Sequence, residues 1–327
     1  MSSETVKNHE EVVAVHWRRP LYESHYLKGN SPDGNRAFWF KHTLLCFGPA
    51  PEQRILEVWA MIFERGYRPL IAKMEIPWSE IEVGPGPYIN CKHARLESDS
   101  AWGSMADIRW ELSLSGGLGA LMHLPWRWLY SAKSPNAKAL TPATNLVFDG
   151  ILQLGPRTWD LERWVGLRGH NWSHEHAFRY TWLAVNKWSE GPGRSLEGFV
   201  AQPRIWMPTF RRATLRDPDG DHRRIGMGFW SGGDPGACQV KMRFPLMHVS
   251  ARAEPEDFVH LIYRQPQGGR VLCRCTKFAT VRVHHHGLVH TSDQGELEFL
   301  DSRMPLGENC HPHPDWTAAE GIYRSQG

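Results

Sequence analysis

Residues 106–114 read ADIRWELSL, and apolar and polar side chains alternate along the whole stretch. The apolar positions are Ala106, Ile108, Trp110, Leu112 and Leu114. Successive side chains of a β-strand point to opposite faces, so this alternation predicts a strand with one buried face and one wet face. Half-buried strands of this kind are typical of antiparallel sheets. The stretch therefore predicts a mainly β protein.

A second pair of segments predicts a β-hairpin near the N-terminus. Tyr22–Lys28 has a strand-like composition, Ser31–Gly34 supplies Pro and Gly for a turn, and Ala37–Phe47 returns as a second strand. Phe38 shares one face of the second strand with His42, whereas polar and apolar residues are mixed on the other face. Such two-sided character fits the wall of a β-barrel.

One segment is ambiguous from its residues alone. Within Pro51–Arg65, Leu56, Trp59, Ala60 and Phe63 recur at helical spacing, and a proline stands near the start. Both a helix and a strand remain open for this segment. The rest of the chain contains no convincing helix longer than three turns.

Length and composition indicate a folded chain of two domains. The 327 residues are 41% apolar and 22% charged, which is typical of a globular protein. Strand-like segments resume at Asn145 after a stretch rich in Pro, Ser and Trp. We therefore expect an N-terminal domain over residues 1–144 and a C-terminal domain over residues 145–327. The sixteen Trp residues suit a wide apolar interior or a ligand cavity.

Charge and cysteine content argue against several classes of function. The net charge is only +3, and no run of Lys or Arg exceeds two, so a nucleic-acid groove is not expected. The six cysteines contain no CxxC pair, which favours reduced, buried thiols. Met1–Glu11 is polar and unlike a signal peptide, and no apolar run is long enough to span a membrane. We expect a cytoplasmic protein; contact with a membrane surface and the oligomeric state stay open.

The densest group of polar and aromatic residues is Arg168–His176. If this stretch were extended, His170, His174 and His176 would share one side. Residues four apart on a strand are separated by about 13 Å, too far for one metal ion, so no metal site is predicted. The chain also lacks the GxSxG, GxxxxGK[ST], HExxH and dinucleotide-binding motifs, and no cofactor is expected.

Two motifs resemble the tandem lipocalin-like proteins, which include tocopherol cyclase-like proteins, carotenoid 1,2-hydratases (hydroxyneurosporene synthases) and Diels–Alderases. The first is Glu23–Lys28 followed by Asp33-Gly34 and Ala37–Lys41. The second is Trp164–Trp172, which is similar to the Gly-His-Asn-Trp-Gly stretch that opens the second barrel of the cyclase-like members; here Ser173 replaces the last Gly. The resemblance implies two consecutive antiparallel lipocalin-like β-barrels, a strand at Pro51–Arg65, and a hydrophobic pocket in one barrel or between them.

The resemblance also implies a ligand of isoprenoid, polyketide or lipid-like type. We expect either an enzyme that hydrates, cyclises or isomerises such a molecule by general acid–base chemistry, or a carrier or sensor without catalysis. A scaffold with collapsed barrels is a third reading. Candidate catalytic residues are His170, His176 and Glu23. Candidate ligand-binding residues are Asn171, Trp172, Tyr180, Trp182 and Trp39, because this mixture of aromatic area and hydrogen-bonding groups is typical of ligand sites.

Overall fold

The computed structural model describes residues 12–14, 19–132, 135, 137–217, 220–228, 233–313, 316 and 322–325. The predicted class is confirmed: these residues form two curled, mainly antiparallel β-sheets, and their helical structure consists of short 3-10 turns, among them Pro51–Gln53, Trp78–Glu80, Arg127–Tyr130 and Pro255–Asp257. Within the same residues, no helix has the length and apolar character needed to cross a membrane. The expectation about a signal peptide concerns residues 1–11, which lie outside the described residues.

The first sheet contains thirteen strands in the described chain, in the order β23-β4-β3-β2-β1-β12-β11-β9-β8-β7-β6-β5, with β10 paired to β11. Their bounds are β1 Leu21–Asn30, β2 Arg36–Cys46, β3 Arg54–Glu64, β4 Leu70–Pro77, β5 Glu82–Val83, β6 Ile89–Cys91, β7 Ala94–Leu96, β8 Ser100–Met105, β9 Ile108–Leu118, β10 Leu121–Met122, β11 Lys138–Leu154, β12 Arg157–Ser173 and β23 Tyr323–Arg324.

The second sheet contains ten strands, in the order β16-β15-β14-β13-β21-β20-β18-β17, with β19 paired to both β20 and β22. Their bounds are β13 Arg179–Val185, β14 Ser195–Gln202, β15 Thr209–Asp217, β16 Gly220–Gly228, β17 Gln239–Phe244, β18 Met247–Arg252, β19 Val259–Arg264, β20 Arg270–His285, β21 Leu288–Asp301 and β22 Cys310–His311.

The chain passes from the first sheet to the second between Ser173 and Arg179. The predicted division between residues 144 and 145 falls inside β11, which belongs to the first sheet together with β12. The Trp164–Trp172 motif therefore does not open the second barrel. It lies in β12 and pairs with β1, so that the two motifs of the resemblance are neighbouring strands.

The ambiguous segment Pro51–Arg65 consists of a 3-10 turn followed by the strand β3. β3 pairs with β2 on one side and β4 on the other, and nearly all its residues are buried. Tertiary pairing thus overrides the helical spacing of its apolar residues. The strand predicted at Ala106 begins at Ile108, because Ala106 lies in the preceding turn with φ +48°.

The three largest apolar clusters of the described residues lie inside the first sheet, inside the second sheet and between the two sheets. The interior of the first sheet is aromatic, with the ring of Phe40 stacked on Trp110 at a centroid distance of 4.3 Å. The interior of the second sheet is largely aliphatic and includes Leu183 and Leu297. The third cluster lies between the sheets and joins the outer faces of β1–β4 to those of β13 and β19–β21; it contains Trp39, Trp59, Met61, Phe63, Leu261, Tyr263, Cys273, Cys275 and Phe278.

The β1–β12 pair tolerates no side chain at Gly166. A Cβ atom at this position would lie 1.8 Å from the carbonyl oxygen of Lys28. We expect Gly166→Ala to reduce the free energy of unfolding by about 2–3 kcal/mol or more, because the obstacle is backbone rather than a movable side chain. Gly119→Ala is the control, since a Cβ atom there meets no atom within 4 Å. Urea unfolding of both variants tests this; equal stability of the two would contradict the pairing.

Candidate functional site

The layer between the two sheets contains aromatic and charged side chains. We call it the inter-sheet cleft, and its lining residues are Tyr22, Tyr26, Trp39, Lys41, Asn171, His176, Tyr180, Trp182 and Tyr263. The first sheet covers one side and the second sheet the other, yet Tyr22, Tyr26, Tyr180 and Trp182 are only partly buried. Each of these four side chains therefore keeps part of its surface accessible to solvent.

His176 lies at one end of the cleft between two aromatic rings. Its imidazole stacks on Tyr22 at a centroid distance of 4.0 Å and on Tyr263 at 5.5 Å. Its backbone N–H donates a hydrogen bond to Gln265 Oε1 at 2.9 Å, which fixes the chain at this point. Burial lowers the pKa of His176 to about 3, and the charge of Lys41 adds to the lowering. The imidazole is therefore neutral at neutral pH and can accept a hydrogen bond.

An open pocket of about 770 Å³ adjoins this end of the cleft. His174 and Glu175, which directly precede His176, line it together with Pro20, Phe47, Arg204 and Gln267. Gln267 follows Gln265, the residue that holds the His176 backbone. The pocket is therefore lined by the residues that directly precede His176 in the chain and by a neighbour of the glutamine that holds its backbone.

Buried charges form the centre of the cleft. Lys28 Nζ lies 3.2 Å from Glu296 Oε2 and 3.6 Å from Glu298 Oε2. It also lies over the rings of Trp39 and Trp182, at 3.9 and 4.0 Å from their centroids. These contacts join β1 and β2 of the first sheet to β13 and β21 of the second.

The Tyr180 hydroxyl is tied to this group of charges. It donates a short hydrogen bond to Glu298 Oε1. Burial raises the pKa of Tyr180 well above its ordinary value, and the charge of Glu298 raises it further. The phenol therefore stays protonated at neutral pH.

The structure brings five of the predicted site residues together. His176, Tyr180, Trp182 and Trp39 line the inter-sheet cleft, and Asn171 joins them because its side chain hydrogen-bonds Tyr26. Except for His176, which lies in the connection from the first sheet to the second, these residues belong to strands of the two sheets.

The other three predicted residues lie on the opposite face of the first sheet. Directly opposed residues of an antiparallel pair share a face, and Glu23 is opposite Trp172 while His25 is opposite His170. Glu23 and His170 are 0% exposed and Trp172 belongs to the interior cluster. They do not border the inter-sheet cleft.

Glu23 is the acceptor at the centre of this interior group. Its Oε1 accepts hydrogen bonds from His170 Nε2 at 2.8 Å and from His25 Nε2 at 3.0 Å. The backbone N–H groups of Val13 and Ala14 donate to the same carboxylate at 2.9 and 2.6 Å. Burial acts to raise the pKa of Glu23, but the hydrogen bonds from His170 and His25 outweigh it and lower that pKa to about 2.

Glu23, His25 and His170 are also a possible set of metal ligands, with their donor atoms within 4.8 Å of one another. Spacing along the chain did not reveal the set, because its members come from two strands far apart in sequence. The imidazoles of His25 and His170 are stacked at 4.0 Å with only 17° between their planes, so their Nε2 atoms point in parallel towards the carboxylate. Hydrogen bonding accounts for this arrangement, and the absence of a metal site stays a prediction.

Sequence reasoning did not identify His25 as a member of the interior group around Glu23. It also did not identify Lys41 and Tyr263 as residues of the inter-sheet cleft. The sequence did contain a signal for Lys41. Its side chain points to the opposite face from Phe40 and His42, on a strand that is predicted to form part of a barrel wall with both faces. A lysine on such a strand, two residues from a tryptophan, is a candidate for a buried charge. Tyr263 carried no comparable signal, since its place depends on how the two sheets meet.

Comparison with solved structures places the chain among two-barrel β-proteins. No family model matches it, and no curated protein does. An AttH protein from Nitrosomonas europaea aligns with 90% of this chain and 96% of its own, with a TM-score of 0.60 and 14% identity. Kievitone hydratase from Nectria haematococca aligns with 87% of this chain and 89% of its own, with a TM-score of 0.55 and 9% identity. At these identities the likeness establishes the shared fold, and it confirms the architecture that the two motifs implied.

The interior histidines predict a specific pH dependence of stability. His42 lies opposite His25 in the β1–β2 pair, is 0% exposed, and neither of its ring nitrogens has a hydrogen-bond partner among the described atoms. Burial lowers its pKa from 6.5 to about 3, with the charge of His25 as a second cause. Between these two pH values the unfolded chain binds a proton at His42 that the folded chain does not, so stability falls as the pH falls.

We therefore expect His42→Leu to gain stability relative to the parent protein on acidification. One histidine contributes about 1.4 kcal/mol per pH unit in this window, or about 2 kcal/mol between pH 6.5 and pH 5. Urea unfolding of both proteins at pH 7.5 and pH 5 measures the change. A stability difference that is the same at both pH values would show that His42 is not a buried neutral group.

Proposed function

We propose that the protein binds an apolar small molecule in the inter-sheet cleft and transforms it by general acid–base chemistry without a cofactor. The observation that carries the proposal is His176, a neutral imidazole held between the rings of Tyr22 and Tyr263 and directly preceded in the chain by two residues that line the open pocket. A neutral imidazole among aromatic rings can exchange a hydrogen bond or a proton with a bound apolar molecule.

The aromatic lining supports binding of an apolar ligand. Tyr22, Tyr26, Tyr180 and Trp182 are each only partly buried. Flat aromatic faces provide a large contact area at little cost in side-chain entropy, and their hydroxyl groups orient polar atoms of a ligand. An isoprenoid or polyketide combines these two features, with a long apolar body and few oxygen atoms.

The polar groups in the cleft support acid–base chemistry. His176 is a neutral hydrogen-bond acceptor at neutral pH, and the Tyr180 hydroxyl keeps its proton, which it donates to Glu298. Hydration, cyclisation and isomerisation all move a proton between oxygen or carbon atoms of one substrate. In this proposal His176 accepts the proton that the substrate loses, and the Tyr180 hydroxyl supplies one when it exchanges Glu298 for the ligand as its acceptor. The fold has this capacity, since kievitone hydratase is built on it.

Glu23 and His170 have a different role in this proposal. Their side chains are sealed inside the first sheet and cannot touch a ligand in the cleft. The hydrogen bond from His170 to Glu23 crosses from β12 to β1, the two strands that form the floor of the cleft. We infer that this pair positions the floor, and that of the three candidate catalytic residues His176 is the one that meets the ligand.

Replacement of the cleft aromatics should weaken ligand binding. N-Phenyl-1-naphthylamine is a neutral apolar probe, and its binding is followed by its fluorescence and by quenching of Trp emission. We expect Tyr180→Ala to weaken binding about tenfold or more, through lost ring contact and the exposed Glu298 carboxylate. Tyr67→Ala is the matched control, because Tyr67 is 68% exposed and remote in sequence from the cleft.

A second arm of the same experiment distinguishes an enzyme from a carrier that binds the ligand without converting it. The parent protein and His176→Gln are incubated with a cellular lipid extract, and bound and converted species are identified by mass spectrometry. We expect both proteins to retain bound lipid and only the parent to convert it. If the parent protein retains bound lipid but converts none of it, the protein is a carrier. If Tyr180→Ala and Tyr67→Ala bind the fluorescent probe equally well, the cleft is not the binding site.

A further inference from the structure

Lys41 is a buried lysine that has no acidic partner among the described residues. It is 7% exposed on the cleft-facing side of β2, opposite Tyr26 on β1 and Trp59 on β3. No carboxylate of the described residues lies within ion-pair distance of its Nζ atom. The two carboxylates whose charges act on it, Glu298 and Glu57, are engaged elsewhere.

Both of those carboxylates have nearer cations. Glu298 lies 3.6 Å from Lys28 Nζ and also accepts the Tyr180 hydroxyl. Glu57 Oε1 lies 2.7 Å from Lys73 Nζ and 3.0 Å from Arg264 Nε. Neither is free to serve as the counter-ion of Lys41.

The other buried lysines show what Lys41 lacks. Lys28, Lys73 and Lys277 each pair with at least one glutamate, and Lys138 donates to three backbone carbonyl oxygens. Lys41 instead lies over aromatic rings, with Nζ 3.8 Å from the Tyr263 centroid and 5.8 Å from that of Trp39. Aromatic faces attract a cation but replace only part of its lost hydration.

A second donor beside Lys41 also has no acceptor. Trp39 precedes Lys41 by two residues on the same face of β2, and its buried Nε1–H has no partner among the described atoms. Buried N–H groups are nearly always paired, and a missing acceptor is costly. Two adjacent donors without acceptors among the described atoms, in a layer whose aromatic side chains are only partly buried, indicate that the acceptor comes with the ligand.

We propose that Lys41, assisted by Trp39 Nε1–H, binds an acidic oxygen of the ligand, so that the cleft selects apolar molecules bearing a carboxylate, phenolate or enolate group. This inference rests on the proposed function and names its substrate class. The anionic oxygen supplies the missing counter-ion of Lys41, and the aromatic lining takes the apolar remainder of the molecule. Stacked at the same Tyr263 ring, His176 is then positioned near the oxygen-bearing end of the ligand.

The test compares two retinoids that differ mainly at one end. Retinoic acid carries a carboxylate where retinol carries a neutral alcohol, and both quench Trp emission by energy transfer. We expect the parent to bind retinoic acid at least about tenfold more tightly than retinol. Lys41→Met should abolish this preference by weakening retinoic acid binding alone, whereas Lys41→Arg should retain it. Lys92→Met, at an exposed lysine, is the matched control.

The outcomes separate the inference from the proposed function. Comparable binding of both retinoids by the parent, or an equal effect of Lys41→Met on both, would overturn the acidic-oxygen site while leaving an apolar ligand site in place. Binding of neither retinoid by the parent would contradict both. Circular dichroism verifies that each variant is folded, and Lys41→Gln replaces Lys41→Met if the latter does not fold.

Discussion

Burial of β1 on both of its faces is the constraint on which the rest of the structure depends. Its odd-numbered residues, such as Glu23 and His25, point into the first sheet, and its even-numbered residues, such as Tyr22 and Tyr26, point towards the second. Pairing with β2 on one side and β12 on the other leaves β1 no edge. Successive residues of β1 therefore alternate between two buried layers. The odd-numbered residues belong to the interior of the first sheet, and the even-numbered residues line the inter-sheet cleft.

The layer between the sheets is unusual in containing several buried charges. An interface of this kind is not the most stable way to join two sheets, because each ion loses its hydration. Ion pairs such as Lys28–Glu296 and Lys73–Glu57 instead fix the relative position of groups within or across the sheets. Apolar packing alone would allow the sheets to slide, whereas a defined cleft geometry is what binding and proton transfer require.

The sequence was informative where the evidence is local. Alternation identified β9, the hairpin of β1 and β2 follows from its turn residues, and the aromatic and histidine content of residues 170–182 marked one wall of the cleft. It was uninformative where distant strands meet. The pairing of β1 with β12 joins residues more than a hundred positions apart, and this pairing decides that His170 and His176 belong to different layers. For the same reason the domain boundary that the sequence predicts, between residues 144 and 145, falls inside the strand β11.

The central claim is that the ligand lies between the sheets, and photo-crosslinking tests it most directly. An isoprenoid acid carrying a diazirine is bound to the protein, irradiated, and located by mass spectrometry of the peptides, with and without excess retinoic acid. The account predicts saturable labelling of β1, β2 and β13, over Leu21–Cys46 and Arg179–Val185, that the competitor removes. Competitor-sensitive labelling confined to strands remote from the cleft, such as β8 and β9, would contradict it.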